Sequence, residues 1–337
     1  MSLDPDRQRQ LHGLKLRALA RDVLERDITE VNGTPDGAVA NDGAVLVALA
    51  EVRPERGLGA ALAAAQRHGL SEIHVFATGA CDVLSRRASL FDADATIWEI
   101  QGRSAVRVDS VGSPVIEPAH PAVNADILDL LEGADVDVVV EHGVLVGEVA
   151  GLEVARVLDD EHGQRLEVGV GAHDREAFAM LHGNLPPSEA LERVVDAVRK
   201  RRTPGADPHP LNRLGAERWL RSRLIERPDV VGAAVLAPAS PPVQRISLKE
   251  PVPAVALGSD ADGSPVVVVA SIGIDLDLVP FAADARLRLA PEARLVVAVS
   301  ARDAHPITAG LVRAVRGEVE LVSVDDNWRD WPQTDDR

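Results

Sequence analysis

Apolar and polar positions along the chain follow two rhythms that alternate with each other. The blocks GAVLVALAE (43–51), IHVFAT (73–78) and TIWEI (96–100) have strand length and are bounded by turn residues. The stretches between them repeat apolar residues at helical spacing, so residues 43–100 predict a βαβαβ unit. Residues 263–323 predict the same unit again: GSPVVVVAS, the helix VPFAADARLRL, LVVAVS, a second helix and VELVSV. Asp42-Gly43 aligns with Asp262-Gly263, and Ala77-Thr78 with Val299-Ser300. The expected class is α/β, with two related modules of mixed sheets bracketing a middle region of antiparallel strands and helices.

The flanking segments extend this pattern. Residues 6–26 place Leu11, Leu14, Leu16, Leu19, Val23 and Leu24 at helical spacing, which predicts an opening amphipathic helix. ITEV (28–31) reads as a short strand, NGTPDG as turn chemistry, and Asn41-Asp42 as a two-residue hairpin turn. Gly57 to His68 forms a helix closed by Gly69, and AVRVDSV (105–111) an edge strand. Pro114, Pro118 and Pro121 mark a linker. Beyond it come the helix NADILDLLEG, a four-stranded meander and helices over 174–181 and 187–202. TPGADPHP (203–210) is a second linker, and LNRLGAERWLRSRLIER opens the second module as residues 6–26 open the first. The expected division is a module over 1–112, a middle region over 113–205, a second module over 206–325 and a loose acidic tail over 326–337, docked, if at all, by Trp328 and Trp331.

Composition narrows the class further. A chain of 337 residues, 46% hydrophobic and 26% charged, suits a globular protein of two or three domains. Aromatic residues are 2% and Tyr is absent, so the core must be built of Val, Leu and Ala. A net charge of −17 opposes sequence-independent nucleic-acid binding and attachment to an anionic membrane. VRKRR (198–202) and RWLRSR (218–223) read as solvated helix faces, with a local basic patch as the alternative. The lone cysteine, Cys81, excludes an internal disulfide and a multi-thiolate metal site, and is expected to be a small buried thiol. The N-terminal residues lack an apolar signal core and no apolar run reaches bilayer length, so a cytoplasmic location is expected.

The main candidate for chemistry is Pro35-Asp36 followed by Glu51-Val52-Arg53, on either side of a hairpin and ahead of a helix bearing Gln66. Over roughly residues 10–80 this pattern resembles the PD-(D/E)XK nuclease family. The resemblance implies a nuclease-like core in which Asp36 and Glu51 hold Mg²⁺ or Mn²⁺, Arg53 stands in the place of the family's Lys, and Glu25 is a helix-borne acid. Arg53 departs from the pattern because a guanidinium does not shed its proton. A two-residue turn would also set Asp36 opposite Val47 and leave Glu51 ~13 Å further along its strand. In the second copy Ser271 takes the place of Glu51 and Gly273 that of Arg53, so that copy is read as non-catalytic.

Other constellations are thinner. GVGAHD (169–174) joins a strand to a helix, and Gly169 and Gly171 could present N–H groups to a phosphate or nucleotide; the competing reading is a capped Gly-rich turn. His173, Glu176 and His182 lie nearby without a common helix stripe. Glu217 and Arg221 are spaced to pair, with Trp219 as a packing anchor. Three readings of function follow. The first is a non-catalytic protein with a degenerate nuclease-like core, acting through a protein partner or self-association and needing no cofactor. The second is a metal-dependent nuclease or phosphodiesterase using Asp36 and Glu51. The third is a nucleotide or small-anion binder.

Overall fold

The computed structural model describes residues 4–110, 121–161, 163–171, 175, 185–245 and 250–332. The first linker around Pro114 and Pro118, the helix expected over 174–181, and His173, Glu176 and His182 lie outside the described residues. The fold is mixed α/β, with three sheets among the described residues. Its contacts group into two compact units, Met1–Val115 with Ile274–Arg288 and Ala304–Leu321, and Ile116–Gly273 with Leu289–Asp303 and Val322–Arg337.

In the first unit, helix α1 (Pro5–Leu24) is capped by Asp4, whose side chain accepts from the Asp6 N–H. It ends at Glu25, which adopts a left-handed φ of 55°. Leu16, Leu19 and Ala20 bury against Ile28, Val45, Val47, Leu49 and Phe76, whereas Leu11 and Leu14 face outward. Beneath α1 lies a sheet in the order β1 (Val31–Gly33), β2 (Gly37–Asn41), β3 (Val45–Ala50), β4 (Glu72–Ala77), β5 (Asp94–Gln101), β6 (Ser104–Val108). Strands β3, β4 and β5 run parallel and the outer pairs antiparallel. Helices α2 (Gly57–His68) and α3 (Cys81–Ala88) make the two crossovers. The first strand thus forms later than ITEV suggested, at Val31–Gly33.

The hairpin differs from expectation as well. Asn41 pairs with Leu46, so the turn is longer than two residues. The Asp42 carboxylate accepts from the Ala44 and Val45 N–H groups, at 2.9 Å each, and Gly43 supplies a φ of +87°. That local hydrogen bonding moves the register, so Gly37 meets Ala50 and the polar residues beyond them become neighbours.

In the second unit, helix α4 (Ala125–Gly133) precedes the meander β7 (Asp137–Glu141), β8 (Val144–Val149), β9 (Leu152–Asp160), β10 (Gly163–Val168), ordered β10-β9-β8-β7 as the alternation predicts. Helix α5 (Pro187–Arg202) lays Leu191, Val194, Val195 and Val198 onto the same core as Leu131, Leu152 and Val154. Helix α6 (Ala216–Glu226) is shorter than its pattern, because Gly215 turns left-handed (φ 55°) between it and the 3₁₀ turn Pro210–Arg213. Trp219 sits edge-on to Trp328, 5.5 Å between ring centroids, so the segment through Trp331 is docked.

The remaining sheet runs β11 (Val235–Ala239), β12 (Ala254–Ser259), β13 (Pro265–Ser271), β14 (Arg294–Ser300), β15 (Val319–Val324), with helices α7 (Leu278–Leu289) and α8 (Pro306–Arg313) in its crossovers. Its first three strands pair antiparallel and β13 with β14 parallel, as in β1–β4. Ala270 faces Ala254 and Ala298 as Ala50 faces Gly37 and Ala77, which sets Ser271 at the place of Glu51 and Pro253 at that of Asp36.

Within the first unit the segments that follow α3 and α8 meet reciprocally. Phe91 and Val315 form an antiparallel bridge, the Asp92 N–H donates to the Ala314 carbonyl, and the Arg316 N–H donates to the Leu90 carbonyl, both at 2.9 Å. These two bonds are the ordinary pattern of an antiparallel bridge.

Candidate functional site

The end of β3 brings the sequence candidates together. The Glu51 N–H donates to the Asp36 carbonyl at 2.9 Å and the Val52 N–H to the same oxygen at 3.1 Å, so Asp36 lies across the hairpin from Glu51. This corrects the expected register, and its cause is the longer Asp42 turn. Each carboxylate, however, already has a cation. Lys15, reaching down from α1, donates to both oxygens of Glu51 at 2.8 and 2.6 Å. Arg53 holds Asp36 at 2.5 Å through a terminal nitrogen and 3.4 Å through Nε, and this pairing pushes its own pKa further up. The Thr78 hydroxyl at the end of β4 donates to the Glu51 carbonyl at 3.2 Å.

Both ion pairs are partly solvated, with side-chain exposures of 34% and 28% for Lys15–Glu51 and 53% and 46% for Arg53–Asp36. A divalent cation binding here would have to displace two positive charges before it met two carboxylates. Glu25 is the exposed C-cap of α1. Gln66 lies elsewhere, its amide against the backbone of Gly310. Among the described residues, no group of three or more His, Cys, Asp or Glu is arranged to hold a metal ion.

Lys15 is the residue that sequence reasoning missed. The available signal was its rarity, since only Lys15, Lys200 and Lys249 are lysines, and its place on the helix that covers the hairpin.

The Gly-rich turn is a packing feature where it is described. The Gly169 N–H donates to the Val154 carbonyl at 2.8 Å and is already committed to the sheet. Its φ of +139° and the Arg175 backbone, 2.9 Å from where a Cβ would stand, require glycine there. Gly171, at φ +79°, continues the turn.

Both units carry buried charge, and in the second unit it lies in segments expected from sequence to be solvated. In α6, Arg218, Arg221 and Arg223 are buried, which overturns the solvated face expected for RWLRSR. Arg221 donates to Glu141 at 2.6 Å and to Glu148 at 2.8 Å, and Arg218 to Glu141 at 2.9 Å. Burial alone would raise the Glu141 pKa, but Arg221 and Arg218 outweigh it and hold the acid at about 2. The partners of Arg221 are therefore strand carboxylates, and Glu217 is left with a pKa raised by burial. Arg202, the last residue of VRKRR, is buried too; it donates to the carbonyls of Ala150, Leu211 and Leu214 and stacks 4.7 Å from the Trp219 ring. Its pKa is lowered to about 9 by burial.

In the first unit, Arg86 grips Asp284 of α7 with two bonds of 2.8 and 3.0 Å. Arg87 adds 3.2 Å to Asp284 and 2.9 Å to Asp277. Asp284 is fully buried and Arg87 nearly so. Burial pushes the Asp277 pKa up to about 7 despite Arg87, with Asp275 adding to the rise. These groups tie α3 to Asp277 and to Asp284 of α7. Cys81 is buried as expected, its thiol pushed up by burial and by Glu99 and Asp82.

Among the described residues no helix is long and apolar enough to cross a membrane. No family model matches the chain, and searches of curated proteins and solved structures returned no match either.

Proposed function

We propose that this chain is a non-catalytic α/β scaffold of the cytoplasm, with a degenerate nuclease-like core in its first module, that works through a protein partner or self-association. One observation carries the reading: the two carboxylates of the nuclease-like pattern are each held by a cation, Glu51 by Lys15 and Asp36 by Arg53. Pro253 and Ser271 at the matching places of the second module support it, because neither can act as an anionic ligand. The surplus of acidic residues favours protein partners over nucleic acid.

The deciding experiment is isothermal titration of the full chain with Mn²⁺, alongside sedimentation and crosslinking of the native protein. The expected result is no saturable Mn²⁺ uptake, together with a defined assembly or crosslinked partner.

A second reading is favoured by the register itself. Asp36 lies across from Glu51 with the Lys15 ammonium at hand, and those three groups are the kinds a metal-dependent nuclease or phosphodiesterase uses. Saturable Mn²⁺ or Mg²⁺ binding, lost in Glu51→Ala together with phosphodiester hydrolysis, would establish that reading and overturn the first.

A further inference from the structure

Helix α1 carries a face that the rest of its unit does not cover. Arg7, Gln10, Leu11, Leu14, Arg17 and Arg21 are all exposed and recur at helical spacing, with two leucines at the centre and arginines at both ends. Leu11 is 45% and Leu14 60% exposed, high values for leucines on an otherwise well-packed helix. Over the helix, five basic side chains stand against Asp6 and Asp22, a local surplus of positive charge in a chain whose net charge is −17.

Beside this face is a cleft of about 440 Å³, lined by Arg9, Gln10, Leu14 and Arg17 of α1 and by Val31 and Gly33 of β1. Strand β1 is the edge of its sheet, paired with β2 on one side and with no strand on the other among the described residues. Gly33 lets it pass under the helix, since a Cβ there would stand 2.4 Å from the Arg9 carbonyl oxygen. The two arginines are lightly held: Arg9 by the exposed Asp6 at 2.7 Å, and Arg17 by the Thr29 carbonyl at 2.8 Å. Exposed contacts of this kind exchange at little cost.

An unpaired strand edge beside a cleft is the setting for strand addition, in which the main chain supplies affinity and alternate side chains supply specificity. Arg9 and Arg17 are eight residues apart on the helix, about 12 Å. An extended chain covers about 13 Å in four residues, with alternate side chains on one face. The matching ligand is therefore acidic–x–apolar–x–acidic. We propose that the α1–β1 cleft docks an extended acidic polypeptide segment of a partner protein, with an apolar side chain against Leu14 and carboxylates on Arg9 and Arg17. This rests on the scaffold reading and names the surface and partner chemistry it would use. Anionic bilayers and nucleic acids also carry negative charge, but the acidic remainder of the chain repels such extended surfaces more than it repels a short peptide.

The test is fluorescence anisotropy of the full chain with a fluorescein-labelled Ser-Glu-Thr-Leu-Thr-Glu-Ser peptide, and with a counterpart carrying Lys for Glu. Saturable binding of the acidic peptide is expected, weakened roughly tenfold or more by Leu14→Asp and by Arg17→Glu and falling with added salt. Both positions are exposed, and unchanged protection of the Cys81 thiol will verify the fold. No binding, or equal binding of the two peptides, overturns the proposal. So does Arg17-dependent binding to phosphatidylserine–phosphatidylcholine vesicles without peptide binding, or a Leu14-dependent dimer in sedimentation. If the peptide fails while a crosslinked partner survives Leu14→Asp, the scaffold reading stands and this site falls.

Discussion

Asp284 is a buried acid of the first unit shared by two arginines. It is fully buried and receives both Arg86 and Arg87, at 2.8–3.2 Å. Asp284→Asn keeps the shape and removes the charge, leaving two guanidiniums out of water without their shared anion. Arginine cannot escape this by losing its proton. Removing one member of a buried ion pair costs about 3–5 kcal/mol. At an m-value near 2 kcal/mol/M that is a drop of roughly 2 M in the urea midpoint. The assay is pulsed thiol labelling across a urea series, because Cys81 is the chain's only cysteine and lies buried at the start of α3, the helix that carries Arg86 and Arg87. Arg87→Met makes the informative contrast. It strands Asp277, but that acid already binds a proton near pH 7 and can neutralise itself. Its cost should therefore be smaller at pH 6 than at pH 8. The exposed pair Arg9–Asp6 serves as control, with Asp6→Ala costing under about 1 kcal/mol. If Asp284→Asn matches that control, the charges here are better hydrated than the geometry says and the reasoning fails.

Further outcomes follow from the same contacts. With its pKa raised to about 7 in the folded state, Asp277 keeps its proton there between pH 4 and 7 while the unfolded chain loses it, so its contribution to stability should fall as pH rises through that window, read by Cys81 labelling. The second unit should behave oppositely on the acid side: Glu141, held at about 2, loses its contribution as pH falls from about 4.5 to 2, read by fluorescence of Trp219, Trp328 and Trp331. Gly151→Ala should cost several kcal/mol, on the order of 3 or more, in chemical unfolding, because φ is +76° and the new Cβ would stand 2.3 Å from the Arg218 backbone. Converting both Lys15 and Arg53 to Gln should uncover Asp36 and Glu51 and create weak Mn²⁺ binding, seen by loss of the free-ion paramagnetic resonance signal; an unchanged signal would mean that the two carboxylates do not converge.

The architecture was more legible than the site, for physical reasons. Strand-length apolar runs bounded by turn residues located all four strands of the meander, because short antiparallel strands must be punctuated by turn chemistry. The order of the two βαβαβ units was equally plain from apolar blocks such as VVVVA, buried on both faces of β13. The register at Asp36 was not, since it depends on whether Asp42 closes a short or a longer turn, a choice made by two N–H bonds to one carboxylate. The arginines of α6 misled for a different reason. A charge pattern does not reveal whether carboxylates on distant strands await it, and Glu141 and Glu148 lie 80 and 73 residues away from Arg221.

The repeat accounts for where polarity survives. Both modules keep the apolar strands and crossover helices that packing demands, and within the first unit Phe91 and Val315 form an antiparallel bridge. The hairpin ends of the two modules differ in their polar residues. Divergence appears there: Asp36 and Glu51 with their cations in one copy, Pro253 and Ser271 in the other. A lysine on Glu51 and an arginine on Asp36 suit a hairpin held folded under its covering helix, as the proposed scaffold reading expects. Lys15 comes from that helix, so the ion pair at Glu51 fastens α1 at mid-length, one residue beyond the exposed Leu14. The Lys15–Glu51 pair thus serves to hold the helix, and the surface α1 displays is where the proposed partner should be sought.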